Sequence, residues 1–176
     1  LGKGVIIAKD IDEAKAAVSS MLEDKAFGDA GSNIVIEECM VGPELTILAF
    51  SDGEYAIPMI SSRDHKRAYD HDEGLNTGGM GAVTPGADLS DDDVKVISDT
   101  IIQPTIEALK SEGRPFKGVI YFGLMLTKKG PKVIEYNCRF GDPEVQAILP
   151  LLENDFMDLI DAVIDGKLST YKLSWK

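Results

Sequence analysis

The sequence predicts an α+β fold on three observations. Apolar residues recur at helical spacing near the start, in the middle and near the end of the chain. β-Branched and aromatic runs stand between them, and two pairs of those runs are joined by short turns. Residues 44–50 and 55–60 flank "SDGE", whose Asp52-Gly53 pair is a strong hairpin signal, and residues 118–127 and 132–137 are joined through "KKGP". Runs connected this tightly pair antiparallel.

Each element follows in chain order. Residues 5–8 read as a short strand. Ile11, Ala14, Val18, Met21 and Leu22 then recur at helical spacing and predict an amphipathic helix ending near Lys25. A glycine-punctuated loop, "FGDAGS", leads to a β-branched strand over residues 33–40, and the first hairpin follows. From residue 61 to residue 89 no periodicity holds, and a loop of that length inside a compact domain is usually functional or disordered. Ser90 with Asp93 resembles a capping box. Val94, Ile97, Ile101 and Ala108 carry the apolar face of the helix it opens, Pro104 should kink that helix, and Gly113 can end it. After the second hairpin, helices over 144–153 and 155–164 close the chain, with Gly166 as a stop signal.

Composition narrows the function. With 176 residues and 44% hydrophobic content the chain can bury a core in one or two compact units. Its net charge of -12 argues against a nucleic-acid-binding surface, which needs clustered Lys and Arg. No apolar run approaches the length of a membrane span, so neither nucleic acid nor membrane is an expected partner. The start, "LGKGVIIAKD", is not a signal peptide and lacks Met, so the chain reads as a piece of a longer one. Cys39 and Cys138 lie far apart and outside any C-x-x-C spacing, which disfavours a disulfide framework or zinc site and makes a reducing cytoplasm the expected location.

Four stretches carry candidate chemistry, each with a plainer alternative. "GLNTGGMGAVTPG", residues 74–86, has no charged side chain; its glycines allow positive φ and leave backbone N–H groups unobstructed, so it is either an anion-wrapping nest or a tight turn. Ahead of it, Arg63, His65, Lys66 and Arg67 form a cationic cluster, either a solvated face or the charged half of a phosphate site. His65 and His71, with Asp64 and Asp72, match no recognised metal spacing. In "KVIEYNCRFGDPE", strand alternation puts Glu135 and Asn137 on one face, as an Mg²⁺-type pair of hard oxygen donors or as a polar strand face. Arg139 would project beside them as a donor for an anion, and Asp142 and Glu144 either orient that Arg or cap the next helix. Finally, "NIVIEECMVGPELTI" fits a nucleotide hinge in which strand-end backbone pairs with adenine and a nearby carboxylate takes the ribose.

Taken together, "VIEECMVGPELTILAF", "SSRDHKRAYDHDEGLNTGGMGAVTP", "GVIYFGLMLTKKGPKVIEYNCRFGDPE" and the opening "GKGV" closely resemble the phosphoribosylamine–glycine ligases, or glycinamide ribonucleotide synthetases, an ATP-grasp family of purine biosynthesis. The motifs D-H-K-R, N-T-G-G-M-G and N-x-R-F-G-D-P-E carry the resemblance, which runs through nearly the whole chain. It implies ATP-dependent ligation of glycine to 5-phosphoribosylamine, giving glycinamide ribonucleotide, ADP and phosphate by way of a glycyl phosphate. It also implies an ATP-grasp fold: a partial lid subdomain over residues 1–38, a larger antiparallel-sheet subdomain with flanking helices over 39–168, and the start of a linker over 169–176. Amino- and carboxy-terminal domains of the parent chain would lie outside this stretch, which is expected to have no appreciable ligase activity alone.

Residue by residue, the resemblance makes Glu135 and Asn137 the ligands of an Mg²⁺ (or Mn²⁺) that bridges the ATP phosphates. Glu37, Glu38, Cys39 and Met40 become the adenine hinge, Glu44 the ribose ligand, and Gly2, Lys3 and Gly4 the tail of a loop closing on the phosphates. Asp64, His65, Lys66, Arg67 and the loop Asn76, Thr77, Gly78, Gly79 would hold phosphoribosylamine and the transferring phosphate. Lys66, Arg67 and Arg139 would stabilise its charge, with Arg139 on the glycine carboxylate or acyl phosphate. Cys138 is expected to be a packed thiol facing away from Asn137 and Arg139. One departure concerns metal number: many ATP-grasp enzymes carry another acid on the strand before E-x-N, and "YFGLMLT" has none.

Overall fold

The computed structural model describes residues 4–176, apart from the side chains of Asp72 and Asn76. The chain divides into two compact units, one ending at Met40 and one running from Val41 to Lys176. In the first, α1 (Ile11–Leu22) begins at Asp10, whose carboxylate accepts from the N–H groups of Asp12 and Glu13 at 3.0 and 2.9 Å. A 3₁₀ turn follows at Gly28–Ser32. The strands expected over 5–8 and 33–40 do not form: both stretches lack regular structure, and Val35 and Ile36 are 84% and 81% exposed. β-Branched residues favour an extended backbone, but a strand exists only when a neighbour takes its hydrogen bonds. The other described elements of this unit are helical.

The second unit opens with β1 (Glu44–Asp52) and β2 (Ala56–Pro58), joined through the Asp52-Gly53 turn, where Gly53 has φ +91°. The stretch read as aperiodic then carries four short strands: β3 (Arg63–Asp64), β4 (Arg67–Tyr69), β5 (Glu73–Asn76) and β6 (Ala82–Val83). They pair antiparallel as β3 with β6 and β4 with β5. Strands of two to four residues are too short to show a period, which is why the sequence hides them.

Next comes α2 (Asp91–Ile97), where the Ser90–Asp93 capping box is complete. A π turn at Ser98–Ile102 follows just before Pro104, which lies in the first turn of α3 (Gln103–Ser111), where its missing N–H costs least. Gly113, at φ +72°, ends α3 with its N–H on Lys110 C=O and Arg114 N–H on Leu109 C=O, a Schellman closure. The hairpin of β7 (Lys117–Thr127) and β8 (Gly130–Asn137) follows. The first closing helix, α4 (Glu144–Ile148), is shorter than expected and passes into a 3₁₀ turn; α5 (Phe156–Asp165) is capped by Asp155 and stopped by Gly166 at φ +72°. Tyr171, Leu173 and Trp175 pack on the core, and Trp175 bridges to Leu152.

The main sheet has the antiparallel order β2-β1-β7-β8. Alternation along β1 and β7 divides its core residues between two faces. Leu45, Ile47, Ala49, Ile120, Phe122 and Leu124 pack against Ile97, Ile101, Ile102 and Ile106 of the α2–α3 segment. Leu48, Phe50, Val119 and Tyr121 pack against Ile148, Leu159 and Val163 of α4 and α5. A bulge in β8 keeps this division: Gly123 pairs with Glu135, but Leu124 pairs with Val133, leaving Ile134 as the extra residue. Val133 therefore joins the α2–α3 face, while Glu135 and Asn137 turn to the other.

Candidate functional site

The site lies in the second unit, at the end of the sheet where the α4–α5 face ceases to be apolar. A pocket there is lined by Glu44 and Thr46 of β1, Arg63, Asp64 and Lys66 of the 61–67 stretch, Tyr121 and Gly123 of β7, and Glu135 of β8. The register explains the gathering. Thr46 pairs with Gly123 and Gly123 with Glu135, so three adjacent strands present one row. Gly123 leaves room in that row, since a Cβ there would stand 3.1 Å from Glu135 Cγ.

Lys66 reaches Glu44 at 3.2 Å. Burial lowers the pKa of its ammonium, but Glu44, with help from Glu135 and Asp64, outweighs burial and holds it above the ordinary lysine value. Lys66 is therefore a fixed cation in an acidic pocket. Thr46 Oγ1 and Tyr121 OH lie 2.9 Å apart. Burial pushes the Tyr121 phenol well above its usual range despite that bond, and the Glu144 and Glu135 carboxylates push the same way, so it stays neutral. Asp64 is likewise raised by burial and by Glu144, against the pull of Lys66 and His65.

The expected site residues divide into those the pocket gathers and those it does not. Glu44, Asp64, Lys66 and Glu135 line it, and Asn137, paired with Tyr121, shares the face of Glu135. Arg67 lies on the β4–β5 ribbon, its guanidinium donating to Gly74 C=O at 2.7 Å, and Arg139 lies past the end of β8, donating to Phe140 C=O at 2.7 Å. His65 is exposed. Glu37, Glu38 and Cys39 are exposed and Met40 is half-buried, in the last stretch of the first unit. Gly2 and Lys3 lie outside the described residues, as does the Asn76 side chain.

The glycine loop uses much of its own hydrogen bonding. Thr77 N–H and Oγ1–H both donate to Lys66 C=O, at 2.7 and 2.8 Å, Gly79 N–H donates to Thr77 Oγ1, and Met80 N–H donates to His65 C=O. The loop thus fixes the backbone that carries His65 and Lys66. Gly79, at φ +127°, also permits close packing: a Cβ there would stand 2.6 Å from Pro143 Cδ and 3.1 Å from Asp64 Oδ1. Gly78 is exposed.

Two expectations are corrected. Cys138 is exposed, because it follows the last residue of β8 and no element covers it. Glu144 neither caps α4 with its side chain nor pairs with Arg139: it is buried beneath the pocket, near Tyr121 and Asp64, while Asp142 accepts from Gln146 at 2.7 Å. A lone Glu after Pro143 gave no signal of this, because its burial depends on residues far from it in the chain, Tyr121 and Asp64.

The family described as Phosphoribosylglycinamide synthetase, ATP-grasp (A) domain matches residues 1–145. The chain belongs to that family. It is 48% identical over 175 residues to the phosphoribosylamine–glycine ligase of Caldanaerobacter subterraneus, covering 99% of this chain and 42% of that protein. It is 50% identical over 174 residues to the human trifunctional purine biosynthetic protein adenosine-3, covering 99% of this chain and 17% of that protein. Among solved structures it resembles the Thermotoga maritima phosphoribosylamine–glycine ligase, with 32% identity and TM-score 0.79, covering 94% of this chain and 42% of that one. The chain thus spans less than half the length of these relatives, and its fold is that of the ATP-grasp proteins, whose members use ATP and divalent metals. Among the described residues no helix is long and apolar enough to cross a membrane.

Proposed function

We propose that the longer protein containing this chain joins glycine to 5-phosphoribosylamine with ATP, yielding glycinamide ribonucleotide, ADP and phosphate in the cytoplasm. The observation that carries this reading is the family match over residues 1–145, which takes in the whole polar face of the sheet.

A divalent cation, Mg²⁺ or Mn²⁺, suits Glu135 and Asn137: a carboxylate and an amide oxygen share one strand face opposite Gly123 and Tyr121. Among the described residues no three His, Cys, Asp or Glu groups could hold a metal, so the rest of the shell would be phosphate oxygen and water. When bound, such a cation neutralises charge on the nucleotide phosphates. The chain's own residues supply the remainder. Lys66, anchored by Glu44 and by Thr77 behind its backbone, offers a fixed positive charge to a transferring phosphoryl group. Arg67 and Arg139 present guanidinium groups for the anionic ends of the substrates, and Glu37 to Met40, with Glu44, supply nucleotide contacts. Positioning carries most of the rate: near-attack alignment is worth roughly 7–11 kcal/mol, and no nucleophilic side chain is needed.

The test is ADP release by the full-length protein with MgATP, glycine and freshly generated phosphoribosylamine, omitting one at a time. Release that requires all three supports the ligase. Release indifferent to glycine or to phosphoribosylamine refutes it.

A further inference from the structure

Between the β3–β6 and β4–β5 pairs the chain leaves the ladder. Asp64 pairs with Ala82 and Arg67 with Asn76, so His65 and Lys66 on one side face residues 77–81 on the other. Two residues against five cannot pair as strands, and the longer side closes the gap by other bonds. Met80 N–H donates to His65 C=O at 2.8 Å, and His65 N–H donates to Gly81 C=O at 2.9 Å. Thr77 does the rest. Its N–H and its hydroxyl both donate to Lys66 C=O, at 2.7 and 2.8 Å, and the same hydroxyl accepts from Gly79 N–H at 3.1 Å. Both lone pairs of the Lys66 carbonyl are thus engaged by one residue.

The far end of Lys66 is held more weakly. Its ammonium lies 3.2 Å from Glu44, both side chains are partly exposed, and an ion pair open to water is a weak tether. The placement of that charge in the pocket, beside Glu135 and Gly123, therefore depends on where the Lys66 backbone stands. Thr77, half-buried behind it, sets that position. A misplacement of about 1 Å at a reacting centre costs about a hundredfold in rate.

We infer that Thr77 is a positioning residue: its hydroxyl clamps the Lys66 carbonyl and so holds the ammonium where a transferring phosphoryl group would meet it. This rests on the ligase reading above. It gives the glycine-rich stretch a mechanical task, since Gly79 at φ +127° lets the longer side turn back on the shorter. The stretch acts as a strap, and Thr77 makes no substrate contact of its own.

The full-length protein tests this through kcat and KM for ADP release by Thr77→Val, isosteric but without the hydroxyl, and Thr77→Ser, which keeps it, each made in the wild-type and in a Lys66→Met background. Thr77→Val should lower kcat about 10- to 100-fold, with the KM values for MgATP, glycine and phosphoribosylamine within about threefold, and Thr77→Ser should stay within about threefold of wild type. In the Lys66→Met background the same Thr77→Val change should lower kcat less than about twofold, because the charge it positions is gone. Thr77→Ala carries the same expectation should Thr77→Val fail to fold. Equal losses in the two backgrounds, a Thr77→Ser as slow as Thr77→Val, an unchanged kcat in folded Thr77→Val, or a loss confined to one substrate's KM overturns the assignment while the ligase stands. ADP release by the wild type that is indifferent to glycine or to phosphoribosylamine overturns both.

Discussion

The two faces of the main sheet are made from the same four strands, yet one is a scaffold and the other becomes a site. On the α2–α3 face Leu45, Ile47, Ala49, Ile120, Phe122 and Leu124 form a continuous apolar surface under four isoleucines. The opposite face begins the same way with Leu48, Phe50 and Val119, then turns polar through Thr46, Glu44, Tyr121 and Glu135 at one end and Asp52 at the other. Strand alternation lets one segment serve both purposes. The difference teaches that the site is held in place by the face it does not use.

The comparison can be broken from either side. Phe122, fully buried on the scaffold face and stacked edge-on against Tyr136 with ring centroids 5.5 Å apart, gives the largest effect. Phe122→Ala should cost about 3–5 kcal/mol in chemical denaturation. Glu135→Ala on the polar face should do the reverse in the full-length protein: stability within about 1 kcal/mol of wild type, but kcat lower by about 10²–10³-fold, measured as ADP release. Equal stability losses from the two would abolish the distinction.

Asp52, at the far end of the polar face, is a structural carboxylate. It is 2% exposed and accepts from the N–H groups of Glu54, Tyr55 and Leu168. Burial raises its pKa, but those three bonds and Lys117 outweigh burial and leave it lowered in the folded state. Its stabilising contribution is therefore present above the unfolded carboxylate pKa and lost as pH falls through the folded one. Asp52→Asn should cost about 1–3 kcal/mol at neutral pH, with the gap to wild type narrowing in acid; a gap that widens in acid would reverse the sign. The smallest effect belongs to Gly123→Ala. A Cβ 3.1 Å from Glu135 Cγ shifts that side chain by a few tenths of an ångström, so activity of the full-length protein should fall about three- to tenfold with little change in melting temperature.

Local signals were legible wherever the chemistry itself is local. The Asp52-Gly53 turn, the Ser90–Asp93 capping box, the glycine stops at Gly113 and Gly166 and the shared strand face of Glu135 and Asn137 each act over a few residues, and each is present in the fold. The runs at 5–8 and 33–40 looked like strands for the same reason and are not, because pairing is a property of two segments. Glu144 shows the limit most clearly, since its burial is set by Gly141, Asp64 and Tyr121, which the chain brings together only on folding.

By itself the sequence determined the α+β class, the hairpins, the caps and the family, since propensity, turn chemistry and motif spacing are written in consecutive residues. Only the tertiary structure decided which face each polar residue took. The bulge at Ile134 turns Val133 inward and Glu135 outward, and the enclosure of Asp64, Ser62 and Glu144 comes from segments far apart in the chain. Register and burial are set by contacts between distant elements, and no single stretch of residues contains them.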